Sequence, residues 1–425
     1  MRSICLCFRV HHPFHLQQFN LSDVGRGKSY YDDIRIEKEI HEASINSYLP
    51  SNEFLLSLIN QHQDRFKLAF YISSTASDQF MMYHPEVLTG FRQLADTGQV
   101  DFLGSTYSHS LVTLTNHKKE LTHQIKDHQA KTKYLFGIKP HVFVNSDLMY
   151  SDLIGKDIAD AGYKATITNG ARKTLQWRSP NFVYSNYYSP KLNVYFRNET
   201  ISDSIAYELN KLSSSDIDGY AQGVFSSIAN IPDDEPLLII YLDYQVLGGI
   251  GMNLKHRFIE DLIERIIKAP EMKFVSPTEI ADYYGPVAPI TAMEPICRVS
   301  NFHPDYYPGN ELQVEAIRQL YLLLPMANHI EDVNLHKDWQ YIQTSDHIHL
   351  MDDQHPYYNN DSNPNKIYRT KYDAFANFMN ILDDFRLKIH RHSSRKSKRE
   401  TGSNFNQGSS DSNKGNNNKK LHIHH

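Results

Sequence analysis

His141-Val-Phe-Val-Asn-Ser-Asp147 and Leu237-Leu-Ile-Ile-Tyr-Leu-Asp243 decide how this chain is read. Each is a short apolar run, rich in β-branched and aromatic residues, that ends in a single carboxylate. Runs of this kind read as strands of a parallel sheet buried on both faces. In α/β folds the C-terminal strand ends make the active face, so Asp147 and Asp243 suggest a hydrolytic pair.

Outward from these two runs, residues 4–10, 67–73, 100–103, 163–168, 193–197 and 272–275 also read as strands. Helical periodicity falls between them at 54–61, at 85–97 before Gly98, at 118–136 before Gly137 and at 153–161 before Gly162. Alternating strands and helices predict an α/β fold, a distorted parallel barrel over residues 1–289. Gly285-Pro-Val-Ala-Pro-Ile290 ends the alternation, and helical patterns at 310–323, 334–350 and 372–389 predict a helical C-terminal domain over 290–390. Residues 391–425 are Ser, Asn, Gly, Lys and Arg with almost no apolar side chains, a composition that predicts a disordered, locally basic tail.

The chain has 425 residues, 40% of them hydrophobic, and a net charge of −5. That is enough apolar material for a large packed core, and the charge argues against nucleic acid or an anionic membrane as main partner. A solubilising role for the tail is favoured over a nucleic-acid tether. The 27 Tyr and 21 Phe suit both strand packing and stacking on sugar faces. Cys5, Cys7 and Cys297 form no metal-like cluster, and an i, i+2 disulfide on one strand would be strained, so all three read as reduced thiols. Arg9 interrupts an N-terminal apolar stretch too short for a signal peptide, and no run approaches a membrane span; the expected location is cytoplasmic.

At the expected strand ends lie His11, His12, residues 105–109, Asp147, Asp243 and Gln245. Two carboxylates across a cleft fit glycosidic bond cleavage, one attacking or activating water and the other protonating the leaving oxygen. The competing reading has each acid cap the following helix, and Ser151-Asp-Leu-Ile does resemble a cap. His11-His12-Pro13-Phe14-His15 could share a divalent ion, but no Asp or Cys stands beside it at ligand spacing; neither metal nor cofactor is expected.

Taken together, five segments resemble glycoside hydrolase family 57, in its α-amylase-like branch. They are His11-His12-Pro13, where the family has His-Gln-Pro; Asp101-Phe-Leu-Gly-Ser-Thr-Tyr-Ser-His109-Ser-Leu; Phe143-Val-Asn-Ser-Asp147-Leu-Met-Tyr-Ser; Tyr241-Leu-Asp243-Tyr-Gln-Val-Leu-Gly; and Lys273-Phe-Val-Ser-Pro-Thr-Glu279. The resemblance implies a (β/α)7-type barrel followed by a helical domain, and retaining attack on an α-glucan such as starch or glycogen, or on a maltooligosaccharide. It puts Asp147 at the nucleophile position, where relatives have glutamate, and Asp243 at the general acid/base position. Trp339-Gln-Tyr-Ile-Gln-Thr-Ser-Asp346-His347 also resembles the family, so Trp339, Asp346 and His347 join His11, His109 and Gln245 as expected substrate-binding residues.

After Asp243 the family carries Tyr-Glu-Thr-Phe-Gly-Glu-His, whereas Gln245, Gly249 and Ile250 replace two acids and a histidine here, and Ser105 replaces another acid. An aspartate at 147 withdraws the carboxylate by about 1.5 Å, toward the inverting separation and away from direct attack. A neutral Gln245 no longer raises the pKa of a nearby acid by like-charge repulsion. The expectation is a glycosidase with impaired catalysis, with a non-enzymatic α-glucan-binding or regulatory protein as alternative. A metal-dependent polysaccharide deacetylase on a similar barrel is the second alternative.

Overall fold

Strand β1 (Arg2–Val10) is the hub of the sheet in the computed structural model, which describes residues 1–407 except 171, 212–216, 298–308, 353–354, 356 and 358–365. It pairs in parallel with β8 (Leu237–Asp243) along most of its length, with β2 (Leu68–Ile72) through its second half, and with β9 (Met272–Phe274) at its start. Parallel pairing passes from β2 to β3 (Val100–Phe102), then crosses a Gly104–Phe143 bridge to β4 (Val142–Val144). It continues to β5 (Ala165–Asn169) and β7 (Asn193–Arg197), and returns to β8 through Arg197–Ile239. The short β6 (Tyr184–Asn186) runs antiparallel to β7 and carries β10 (Pro289–Ile290). The result is a mixed α/β fold whose largely parallel sheet curls into a distorted barrel.

The two-residue period of a strand sorts the side chains. Cys5, Cys7, Ala69, Ala165 and Ile239, with Tyr71 and Tyr241, fill the barrel interior. The alternate residues Ile4, Leu6, Phe8, Phe70 and Ile240 pack outward against Leu55, Phe91 and Phe258 of the surrounding helices. Burial on both faces is why these strands read as unbroken apolar runs. Cys5 and Cys7 lie there as free buried thiols. At the β3–β4 closure a Cβ on residue 104 would collide with the Tyr163 ring, so glycine permits the approach.

Helices Glu311–Leu322, Val333–Ile342, Ser345–His349 and Lys371–Gln407 follow the barrel. Their apolar residues Leu320, Ile342 and Phe385 share one core with Phe19 and Tyr30 from the segment after β1 and with Phe143 and Met149 from the barrel. The Tyr30 hydroxyl donates to the Asp384 carboxylate at 2.6 Å, and the Phe19 N–H donates to Asn377 Oδ1 at 2.6 Å. Among the described residues no helix is long and apolar enough to cross a membrane.

Two stretches differ from the sequence pattern. The helix expected over 334–350 breaks at Thr344, which is extended (φ −62°, ψ 139°) and forms a bridge with Ser110, while the Ser345 N–H donates to the His109 carbonyl at 3.1 Å. Pairing with the loop after β3 displaces the helical bond and turns residues 345–349 onto the barrel. At the C-terminus the last helix extends in backbone to Gln407, beyond Arg391, because a helix already nucleated on a packed segment adds one bond per residue. Residues 408–425 lie outside the described residues.

Candidate active site at the strand ends

Asp147 stands just past β4, in a 3-10 turn (Ser146–Leu148) built by side-chain clamps. Asn145 Nδ2 donates to Thr113 Oγ1 at 2.9 Å and to the Met149 carbonyl at 3.2 Å, and Ser146 Oγ donates to the Ser110 carbonyl at 2.8 Å. These bonds accompany φ values of 55° at Asp147 and 54° at Leu148; His109, in the loop after β3, is at 54°. Non-glycine residues avoid this left-handed region; such strain costs on the order of 1–3 kcal/mol per residue and gathers at functional sites.

The Asp147 carboxylate is 10% exposed and held from both sides. His349 Nε2 lies 2.8 Å from Oδ2, and His109 Nε2 lies 3.5 Å from Oδ1. Burial alone would raise its pKa, but His349, then His109, outweigh burial and hold the group well below the usual carboxylate range. His349 moves the opposite way: burial lowers its pKa, Asp147 overrides this, and the net shift is upward. His109 is pushed down to about 4 by burial and then by His11, so near neutral pH it is an uncharged ring, with Nδ1 2.8 Å from the Tyr71 hydroxyl.

His11 continues the inward side of β1, and its ring lies 4.3 Å from that of His109. Its Nδ1 is 2.9 Å from Ser73 Oγ and its Nε2 2.8 Å from Asp346 Oδ2. Asp346 Oδ2 also accepts from Thr344 Oγ1 at 2.8 Å. Against burial, His11 holds the Asp346 carboxyl far below its ordinary range. The break at Thr344 thus delivers Asp346 to a histidine at the end of β1.

Arg9 and Asp243 are register partners on β1 and β8, with Arg9 Nε donating to Asp243 Oδ1 at 2.6 Å. The Asp243 side chain is 50% exposed. Burial opposes the Arg9 charge, Asp243 supports it most, and Asp147 adds support, so both carboxylates act on one guanidinium.

The remaining expected residues occupy different places. Gln245 Nε2 lies 2.9 Å from the Tyr48 hydroxyl and 3.0 Å from His12 Nε2. Trp339 is buried, donates from Nε1 to Glu120 Oε1 at 3.2 Å and stacks on Phe385; the structure keeps it in the helical core. His347 is buried and lines a cavity beside His349. The structure therefore brings His11, His109, Asp147 and Asp346 together and sets Arg9 against Asp243.

Sequence reading missed His349 and Arg9. Signals existed: His349 lies three residues after Asp346 and so shares its helical face, and Arg9 is a charge in an otherwise buried strand. Among the described residues no three His, Cys, Asp or Glu side chains are arranged to hold a metal ion.

A largely parallel barrel with carboxylates at its strand ends and helices packed beside them is the architecture of an α-amylase-like glycosidase. Residues 5–292 match glycosyl hydrolase family 57, and the chain belongs to that family. It is 29% identical over 413 residues to a "Putative alpha-amylase" of Methanocaldococcus jannaschii, covering 90% of this chain and 84% of that one. Its fold is similar to the α-amylase AmyC of Thermotoga maritima (12% identity, 92% of this chain and 96% of that chain, TM-score 0.57). It is also similar to a GH57 branching enzyme of Thermococcus kodakaraensis (12% identity, 82% and 86%, TM-score 0.63).

Proposed function

We propose that this family member is a slow, retaining α-glucan glycosidase in which Asp147 is the nucleophile and Asp243 the general acid/base. The observation that carries this reading is the state of Asp147: buried, backbone-strained and held ionised by His349 and His109. A retaining nucleophile must be an anion when the anomeric carbon arrives. Asp147 would attack that carbon to give a glycosyl-enzyme while Asp243 protonates the leaving oxygen; Asp243 would then take a proton from the water that releases the sugar. His11, His109, Asp346, His347 and Gln245 are assigned to holding substrate or shaping the cleft around it. The same reading takes the barrel as (β/α)7, residues 1–289 as its domain, 290–390 as the helical domain and 391–425 as a tail.

Two contacts support the slow rate in this reading. Both Asp147 oxygens already face imidazoles, and the Arg9 charge at Asp243 Oδ1 disfavours the protonated form that a general acid needs. That ion pair favours a second reading, α-glucan binding without turnover.

Incubation with maltoheptaose, with products followed by NMR, tests both readings. The expected result is slow release of α-anomeric products, abolished by Asp147→Asn and by Asp243→Asn while calorimetric binding persists. Binding without turnover in the unmodified protein would transfer the case to the second reading. Neither binding nor turnover would end both.

A further inference from the structure

We propose that His41 and His84 form a surface site for one divalent transition cation of the zinc class, with Glu86 as the carboxylate behind it. His41 stands in the last turn of the helix Asp33–Ala43. His84 sits at the break between the helices Ser74–Tyr83 and Pro85–Asp96, with φ −144° and ψ 65°. A residue before proline is steered away from helical backbone, so the His84 imidazole is carried on a corner rather than on a helix face. His41 Nδ1 and His84 Nε2 are 2.9 Å apart, and on the far side of the second ring His84 Nδ1 lies 2.7 Å from Glu86 Oε1. Among the described residues the pair shares no hydrogen bond with Asp147 or Asp243, and the inference takes nothing from the proposed function.

Chemistry selects the ligand. An ionised Glu86 only accepts, so His84 Nδ1 carries the proton and Nε2 presents a lone pair toward His41. A ligating histidine characteristically donates its other N–H to a carboxylate, which fixes the tautomer and makes the free nitrogen a better donor to metal. His41 is exposed, so its Nδ1 proton can pass through water to Nε2 and leave a second lone pair beside the first. Metal–nitrogen bonds of about 2.0–2.1 Å put two imidazole nitrogens about 2.9 Å apart at a right angle and about 3.3 Å apart at the tetrahedral angle. The observed 2.9 Å thus fits the first geometry as it stands, and the second after the rings part by about 0.4 Å. Imidazole pairs select Zn²⁺, Ni²⁺ or Cu²⁺ over Mg²⁺ and Ca²⁺, which take oxygen ligands. Water can complete the shell, because the Glu86 side chain is 50% exposed and His41 faces solvent. A bound cation would tie the helix Asp33–Ala43 to the corner at His84.

Calorimetric titration of the full chain with zinc chloride tests the assignment, in a parent where His422, His424 and His425 are replaced by alanine so that the chain end does not compete. Zinc should bind saturably, and His41→Ala and His84→Ala should each remove that binding. Glu86→Gln, a change at an exposed side chain, should weaken affinity by about tenfold. Magnesium at the same concentration should not displace the zinc. In the parent chain, substoichiometric Ni²⁺ should broaden the ring resonances of His41 and His84 before those of the buried His12 and His109, a readout that needs neither site variant to fold. No saturable zinc binding, or binding indifferent to both histidine variants, would overturn the inference, as would displacement of zinc by magnesium. Unchanged affinity in Glu86→Gln would remove Glu86 from the site.

Discussion

Replacing His349 by glutamine should destabilise the fold by an amount that depends on pH. His349 Nε2 and Asp147 Oδ2 are 2.8 Å apart, with side chains 12% and 10% exposed. Removing one partner of such a buried pair costs about 3–5 kcal/mol. Glutamine still offers an N–H to the carboxylate, so the lower end, about 3 kcal/mol, is expected where both groups are charged.

The sign follows from the two shifts. His349 has its pKa raised on folding, so its contribution is fully present below the unfolded value of about 6.5 and fades as pH rises through the folded value. Asp147 has its pKa depressed, so its contribution is present above the unfolded value of about 3.9 and fades as pH falls through the folded one. The pair is at full strength between about pH 4 and pH 6.5. Urea unfolding of both proteins should show a loss of about 3 kcal/mol at about pH 5.5, shrinking to within about 1 kcal/mol at about pH 9. An equal loss at both pH values would refute the ion pair and leave His349 as packing alone.

Asp147→Glu should not restore a fast enzyme, because the added carbon moves the carboxylate by about 1.5 Å into a site where His349 already sits at 2.8 Å. Overpacking of about 1–3 kcal/mol is expected; a faster maltoheptaose rate with unchanged thermal melting would count against this. Gly104→Ala should lower the melting temperature through its clash with Tyr163 at the β3–β4 closure, at about 1–3 kcal/mol. An unchanged melting curve would show that the closure has slack.

The strands were legible because burial on both faces leaves an apolar run that periodicity alone can find. β6 was not, since a three-residue antiparallel strand, Tyr-Ser-Asn, has no such run. Asp147, Asp243, His11 and His109 were legible as strand-end residues, a consequence of parallel topology. The break at Thr344 was not, because it follows from pairing with Ser110, a partner distant in sequence. Trp339 shows the same limit: resemblance marked it as substrate-facing, yet Glu120 and Phe385 claim its nitrogen and its ring. Gln245 entered the sequence argument as a lost charge beside Asp243, whereas in the fold its amide is engaged by Tyr48 and His12.

The two candidate carboxylates are held by unlike devices, and the difference bears on how the site comes into being. Asp243 meets Arg9 across adjacent parallel strands, so its partner arrives with the sheet itself. Asp147 meets His349, 202 residues away, only because the chain after Thr344 docks on the loop that carries His109. Without that docking Asp147 would lose the His349 contact and keep only His109, so its pKa would rise toward the ordinary carboxylate value. The docking of residues 345–349 and the lowered pKa of Asp147 are therefore linked, and protonating Asp147 weakens the docking.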